Sequence, residues 1–324
     1  MHTYKAAAQI LSATIGIESN SEGLLPSLPP DIKVESLLTD FRQVKPIPYE
    51  QGLDGYITVQ DQESTPCYRV QKDRFVFQGP FSRFEKQASD SRYSLWGNQG
   101  FLYRYGLYLL EKRHRIFNLH ACALYLEAEK ILYVIIGGAG SGKTVYLLSG
   151  LEKGLKLFST ETVHFHIKAD TIIWYMGSLV DNIRFGTLVH DFPAFLPQVE
   201  IPSPNDVWQK KIAIDLSKYK TTQETLKNPQ AVHVLFPHIE RGFEKRVWNP
   251  IKDRRKAAKN LFDNITQKLA ETILLYDHLA VRGLDEAKLA QRRLEAIHHL
   301  IENDSISQIA SVLSNPKDCW SQLL

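Results

Sequence analysis

Eight consecutive residues, Gly137-Gly-Ala-Gly-Ser-Gly-Lys-Thr144, fit the spacing G-x-x-x-x-G-K-S/T at every fixed position. The chemistry this pattern performs is the holding of a phosphate chain. Gly137, Gly138, Gly140 and Gly142 permit positive φ and carry no Cβ to obstruct an approaching phosphate. Ala139 and Ser141 are the small residues between them. Main-chain N–H groups of such a loop converge on the β-phosphate, aided by the N-terminus of the helix that follows. Lys143 is then expected to reach the β- and γ-phosphates, and the Thr144 hydroxyl to sit on Mg²⁺. The ligand implied is ATP or another nucleoside triphosphate, with magnesium.

Such a loop needs a strand to launch it and a helix to receive it. Ile131–Ile136 is a six-residue apolar run directly before Gly137, and Val145, Leu147, Leu148 and Leu151 give one apolar face directly after it. Strands are also expected at Ala121–Leu126, with Glu127–Lys130 as the turn, and at Gly154–Ser159, after a helix ending near Gly150 or Gly154. Val163–Ile167, Ile172–Met176, Ile212–Ile214 and Val232–Phe236 continue the series. The fold class read from this alternation is α/β.

Three regions follow: an N-terminal α+β region over 1–115, a nucleotide-binding core over 116–250 and a C-terminal helical region over 251–324. In the first, Ile32/Val34, Tyr56–Val59, Tyr68–Val70 and Arg74–Phe77 alternate between polar turns, which predicts a small, mainly antiparallel sheet. Residues 94–112 read as a helix burying Leu102, Tyr105 and Leu109. In the last, Leu261, Ile265, Leu269, Ile273 and Tyr276 recur at helical spacing, as do Leu289, Leu294, Ile297 and Ile301, with Gly283 ending the first helix.

Composition excludes several classes. The 324 residues are 44% hydrophobic and 23% charged, ordinary globular values. A formal charge of +3 is too small to imply a nucleic-acid partner, and the cluster Lys252, Arg254, Arg255, Lys256, Lys259 reads as a solvated helix face. Cys67, Cys122 and Cys319 are widely spaced, which fits neither a disulfide framework nor a structural zinc site and suits a reducing compartment. No cleavable signal pattern opens the chain, and no apolar run approaches the ~20 residues of a membrane span. The expected location is the cytoplasm, with no membrane partner.

Upstream of the loop, Asn118-Leu-His-Ala-Cys-Ala-Leu places His120 at the head of the preceding strand; downstream, Leu157-Phe-Ser-Thr-Glu-Thr-Val follows the loop's helix. From Leu119 to about Phe165 this order resembles the HPr kinase/phosphorylase family and its wider relatives, the P-loop kinases with a phosphoenolpyruvate-carboxykinase-like core. The segment Leu235-Phe-Pro-His shares the resemblance more weakly. The family's pattern is a strand-head histidine, a turn and strand, the phosphate loop, a helix, then a Leu-x-x-Asp-Asp-type segment. The resemblance implies a core of that type and a nucleotide held by residues 137–144. It places His120 near the phosphates and gives Glu161 both a metal-ligand and a proton-accepting role; it also leaves a homo-oligomer open. Thr160 departs from the pattern, because the family has a second carboxylate where this chain has a hydroxyl.

Two functions follow. In one, Lys143, His120 and Glu161 serve a Mg-dependent kinase that transfers the γ-phosphoryl group to a hydroxyl of a small molecule or protein, with Thr144 and Glu161 at the metal. In the other, the chain is a nucleotide-dependent regulatory or binding protein with little or no transfer, as the lost acid suggests. A DNA-associated ATPase ranks behind both, because no Walker B acid is evident: Asp215 ends only the short run Lys-Ile-Ala-Ile and reads as a helix cap. Asp181 and Asp191 have no assigned place. Arg241, Arg246, Arg254 and Arg255 are candidates for a positive clamp, and His164 and His166 for a metal pair lacking a third ligand.

Overall fold

The computed structural model describes residues 2–28, 44–138, 140–169, 171–243, 246–302 and 305–320. Ala139 and the expected segment Ile32/Val34 lie outside the described residues. The chain is a mixed α/β protein that divides into two units, residues 1–117 with 266–290 and residues 118–265 with 291–324.

The first unit begins with strands β1 (Tyr4–Ile10), β2 (Ala13–Ser19), β3 (Val44–Pro46), β4 (Gly55–Asp61), β5 (Cys67–Gln71) and β6 (Arg74–Gly79), in the order β3-β1-β2-β4-β6-β5. The sheet is mixed rather than mainly antiparallel: β2, β4 and β6 run parallel, with antiparallel strands only outside them. Alternation along a strand reports which face is buried and is blind to the direction of the neighbour, so the expectation could not see this. Helices α1 (Phe81–Gln87) and α2 (Phe101–His114) follow. Phe101 and Tyr105 of α2 set their rings on Phe75 at 4.7 and 5.1 Å, and Phe101 lies 4.7 Å from Phe77. The helix expected from residue 94 starts only at Phe101, because the chain folds tightly through Gly97 and Gly100 first. A Cβ on Gly100 would sit 1.8 Å from the Ser94 carbonyl oxygen.

The second unit is built on β7 (Ile116–Leu126), β8 (Ile131–Ile136), α3 (Lys143–Glu152), β9 (Lys156–Ser159), β10 (Thr162–Lys168) and β11 (Thr171–Tyr175). Then come β12 (Val180–Arg184), α4 (Phe185–His190), β13 (Lys211–Asp215), β14 (Thr225–Lys227), β15 (Ala231–Ile239) and β16 (Val247–Pro250). The chain ends with α5 (Arg254–Ala270), β17 (Ile273–Leu275), β18 (Leu279–Val281), α6 (Ala287–Glu302) and β19 (Gln308–Ser314). The main sheet has the order β14-β11-β10-β7-β8-β15-β19-β16, with β9 also on β7. Strands β8, β15 and β19 are parallel, so their carboxyl ends lie together, where ligands of open α/β sheets bind. The apolar run of β8 is explained by its place between β7 and β15, with Leu132, Val134 and Ile135 fully buried. Strands β12 and β13 form a separate antiparallel ribbon.

The region beyond Asn249 holds α5 and α6 but is not wholly helical. The stripe from Leu261 breaks at Ala270, and Ile273 falls in β17. Gly283 follows β18 and ends no helix; its missing Cβ lets it approach the Ala270 carbonyl oxygen, which a methyl would meet at 2.3 Å. The run Gln308-Ile-Ala-Ser-Val-Leu-Ser joins the main sheet beside β15. No helix among the described residues is long and apolar enough to cross a membrane.

Candidate functional site

Strand β8 ends in the core at Ile136, and the chain re-enters regular structure as α3 at Lys143. Two glycines of the intervening loop stand at positive φ, Gly140 at +82° and Gly142 at +102°. Gly142 is the residue before the first helical turn, and a Cβ there would lie 2.3 Å from Cγ1 of Ile239 at the end of β15. Gly138 and Gly140 face open space where a Cβ would project. The loop also folds on itself: the Ser141 N–H donates to the Gly138 carbonyl at 3.3 Å. Tyr146 N–H donates to Gly142 at 3.0 Å, so the N–H groups of the turn before it have no partner further back in the helix. The Lys143 ammonium donates to the Gly137 carbonyl, and the Ser141 hydroxyl oxygen is buried without a hydrogen-bond partner among the described residues. Beneath the loop, the Cys122 thiol of β7 donates to the Lys143 carbonyl at 3.5 Å, and burial pushes that thiol far above its usual range.

Beside the helix start, Thr144 donates its hydroxyl hydrogen to Oδ2 of Asp181 at 3.2 Å. Asp181 is only 3% exposed, on the ribbon strand β12. Its position follows from the segment before it. Gly177 packs so closely that a Cβ would lie 1.7 Å from the Thr162 carbonyl oxygen. Thr160 N–H donates to Ser178 at 2.9 Å and the Thr160 hydroxyl to the Val180 carbonyl at 2.7 Å. Thr160 is therefore a buried tether that draws β12 against the turn carrying Glu161. Burial, with the charge of Glu161 added to it, holds the Asp181 carboxyl well above the usual carboxylate range; the Thr144 hydroxyl and the Lys143 and Lys211 ammonium groups act in the opposite direction.

His120 and Glu161 meet across the head of the sheet, with Nε2 of His120 3.3 Å from Oε2 of Glu161. The Glu161 main chain is pinned there by the Ala121 N–H, which donates to its carbonyl at 3.0 Å. His120 is fixed through its own peptide groups: its N–H donates to Oδ1 of Asn264 at 2.9 Å, and Nδ2 of Asn264 donates to its carbonyl at 3.0 Å. Glycine loop, Thr144–Asp181 pair and His120–Glu161 pair all lie within the second unit.

Other candidates fall elsewhere. Asp215 is exposed at the end of β13 and accepts from the Ser217 N–H at 2.8 Å; the N-cap of the short 3₁₀ turn that follows is Leu216, so Asp215 does not cap it. Asp191 pairs with Arg241 at 2.5 Å, and the Arg241 guanidinium lies over the Trp208 ring. Arg246 lies over Trp248, while Arg254 and Arg255 are exposed at the start of α5. His164 is fully buried, and burial pulls its pKa down to about 3, so it is neutral core. Among the described residues no three His, Cys, Asp or Glu side chains are grouped to hold a metal by themselves. The sequence names Asp181 without giving it a place, which the fold supplies beside Thr144. Its only local signal is a short alternation, Val180-Asp-Asn-Ile, and no spacing rule links it to a hydroxyl 37 positions earlier.

No family model matches the chain, and no curated protein matches it in sequence. Among solved structures, the Hpr(Ser) kinase/phosphatase from Coxiella burnetii is similar over 57% of this chain and 92% of its own, at 14% identity and a TM-score of 0.22. That likeness is distant and at the level of fold alone.

Proposed function

We propose that this chain is a Mg-dependent phosphotransferase that holds a nucleoside triphosphate on residues 137–144 and transfers its γ-phosphoryl group to a hydroxyl acceptor. The observation that carries the reading is the Thr144–Asp181 pair at the start of α3. A hydroxyl and a buried carboxylate are the hard oxygen donors that Mg²⁺ takes, and a carboxylate whose charge is disfavoured by burial and by Glu161 is stabilised by a cation. Bound there, the ion would supply charge neutralisation on the phosphate oxygens. Glycines at 138 and 140, open where a Cβ would project, leave room for phosphate against the main chain. The Lys143 ammonium rests on the Gly137 carbonyl of the same loop.

The acceptor's proton is assigned to Glu161, with His120 hydrogen-bonded to the same carboxylate and sharing its charge. In the transfer, the acceptor oxygen bonds the γ-phosphorus, the bond to the β,γ-bridging oxygen breaks, and the nucleoside diphosphate leaves. Thr160 does not reduce the count of acids, because Asp181 supplies the second carboxylate from another strand.

Titration with Mg-ATP and assay with γ-labelled ATP on a panel of hydroxyl acceptors test the reading. Lys143→Ala should weaken nucleotide binding at least about tenfold, roughly the worth of one charge-assisted contact; unchanged affinity overturns the loop assignment. Binding without transfer to any acceptor favours the regulatory function instead.

A further inference from the structure

We propose that Asn264 is the positioning residue of His120, standing in for the strand that the glycine loop removes. The β7–β8 ladder stops at Ala121 opposite Ile136. In an antiparallel sheet successive residues turn their peptide groups to opposite neighbours. Ala121 donates its N–H away from β8, to Glu161, so the N–H and C=O of His120 face the β8 side. There the next residue would be Gly137, but at Gly137 the chain leaves the sheet to form the loop. The Asn264 amide fills that place, accepting from the N–H and donating to the C=O of His120 at 2.9 and 3.0 Å. One side chain thereby completes the last rung of the ladder, and both bonds act on the residue whose ring meets Glu161. Asn264 lies on α5, on which Leu261 and Ile265 are buried.

The catalytic meaning of this clamp rests on the phosphotransfer reading; the clamp itself does not. Side-chain ¹⁵N spectra of the histidine-labelled full chain separate the two. The His120 resonances are assigned by their loss in His120→Gln and by their displacement in Glu161→Gln. Asn264→Ala should displace or broaden those resonances while leaving the other histidines in place, and Mg-ATP affinity should stay within about twofold because the variant touches no phosphate contact. Asn264→Asp keeps the acceptor for the His120 N–H but sets a carboxylate oxygen against the His120 carbonyl, so it too should displace the resonances; being isosteric, it also serves if the alanine variant does not fold. Phosphate release from Mg-ATP should show kcat reduced about tenfold or more at unchanged KM. Leu261→Ala, which trims the same helix, should lower Tm yet leave the His120 resonances where they are. Unchanged His120 resonances in both Asn264 variants overturn the proposal, as does an equal displacement in Leu261→Ala. Loss of nucleotide binding in Lys143→Ala is independent of either result and speaks only to the loop.

Discussion

The carboxylate of Asp181 accepts a hydrogen bond from the hydroxyl of Thr144 at 3.2 Å, although Thr144 lies in the first turn of helix α3 and Asp181 belongs to a ribbon outside the main sheet. Burial and the charge of Glu161 raise the cost of ionising Asp181 by more than the Lys143 and Lys211 ammonium groups and the Thr144 hydroxyl lower it.

The folded-state pKa of Asp181 is raised, so its protonated form is favoured in the folded chain; the stability this contributes is present at low pH and is lost as pH rises from the ordinary carboxylate range through the folded pKa. Asp181→Asn should therefore raise Tm of the nucleotide-free protein at pH 8, by about 2–4 °C for each kcal/mol relieved, and change it little at pH 4. Because a bound cation requires the ionised carboxylate, Mg-nucleotide affinity should rise with pH between 6 and 8 and release protons. Calorimetry in buffers of different ionisation enthalpy measures that release, which should vanish in Asp181→Asn.

Gly142→Ala should abolish the site with little help from repacking. The residue stands at a φ of +102°, and the added methyl would fall 2.3 Å from Ile239 Cγ1. Strain at such a position costs about 1–3 kcal/mol before the clash is counted. Mg-ATP binding should drop below detection while the far-ultraviolet circular dichroism remains that of an α/β protein. Retained affinity would mean that the loop does not hold phosphate through this backbone shape.

Glu161→Gln should separate holding from transfer. The amide keeps the size of the side chain next to His120 and removes its capacity to take a proton. Transfer should fall by about 10²–10⁴, the range of general-base contributions, with nucleotide affinity nearly unchanged. Undiminished transfer would remove Glu161 from the role of base.

Trp320 should prove the main anchor of α3. Its indole N–H donates to the Tyr146 carbonyl at 2.9 Å, its ring meets Tyr133 edge-on at 5.0 Å, and it is 2% exposed. Trp320→Ala should cost about 3–5 kcal/mol and lower Tm by roughly 10 °C. Saturating Mg-ATP should recover part of that loss, measured by thermal denaturation with and without nucleotide, because ligand binds only the folded form.

The strands that read clearly in the sequence were those written locally. Ile131–Ile136, an apolar run, has the same bounds in sequence and structure, and Val163–Ile167, an alternating segment, lies within β10. The glycine loop was visible for the same reason: its signal is eight adjacent residues. Direction of pairing was not visible, so the parallel β2, β4 and β6 came as a difference. Strand β19 was hidden because serine and glutamine interrupt its apolar pattern, and only its place beside β15 buries Ala310 and Val312. Asp181 and Asn264 were silent for a deeper reason. An aspartate on a short ribbon and an asparagine on an amphipathic helix are ordinary residues until the fold brings each to a partner far along the chain.

Those separations set the order in which these contacts can come into being. Thr144 and Asp181 are 37 residues apart, His120 and Glu161 are 41, and His120 and Asn264 are 144. Closing such loops precedes any gain from the contacts they allow, so none of these pairs can form during early, local structure. A chain that has built the β7–β8 hairpin and α3 alone would carry the glycine loop but neither carboxylate at its mouth. On the proposed reading, a ligand gripped by loop, ribbon and turn together would distinguish finished molecules from nearly finished ones, and its occupancy would measure completed folding as much as affinity.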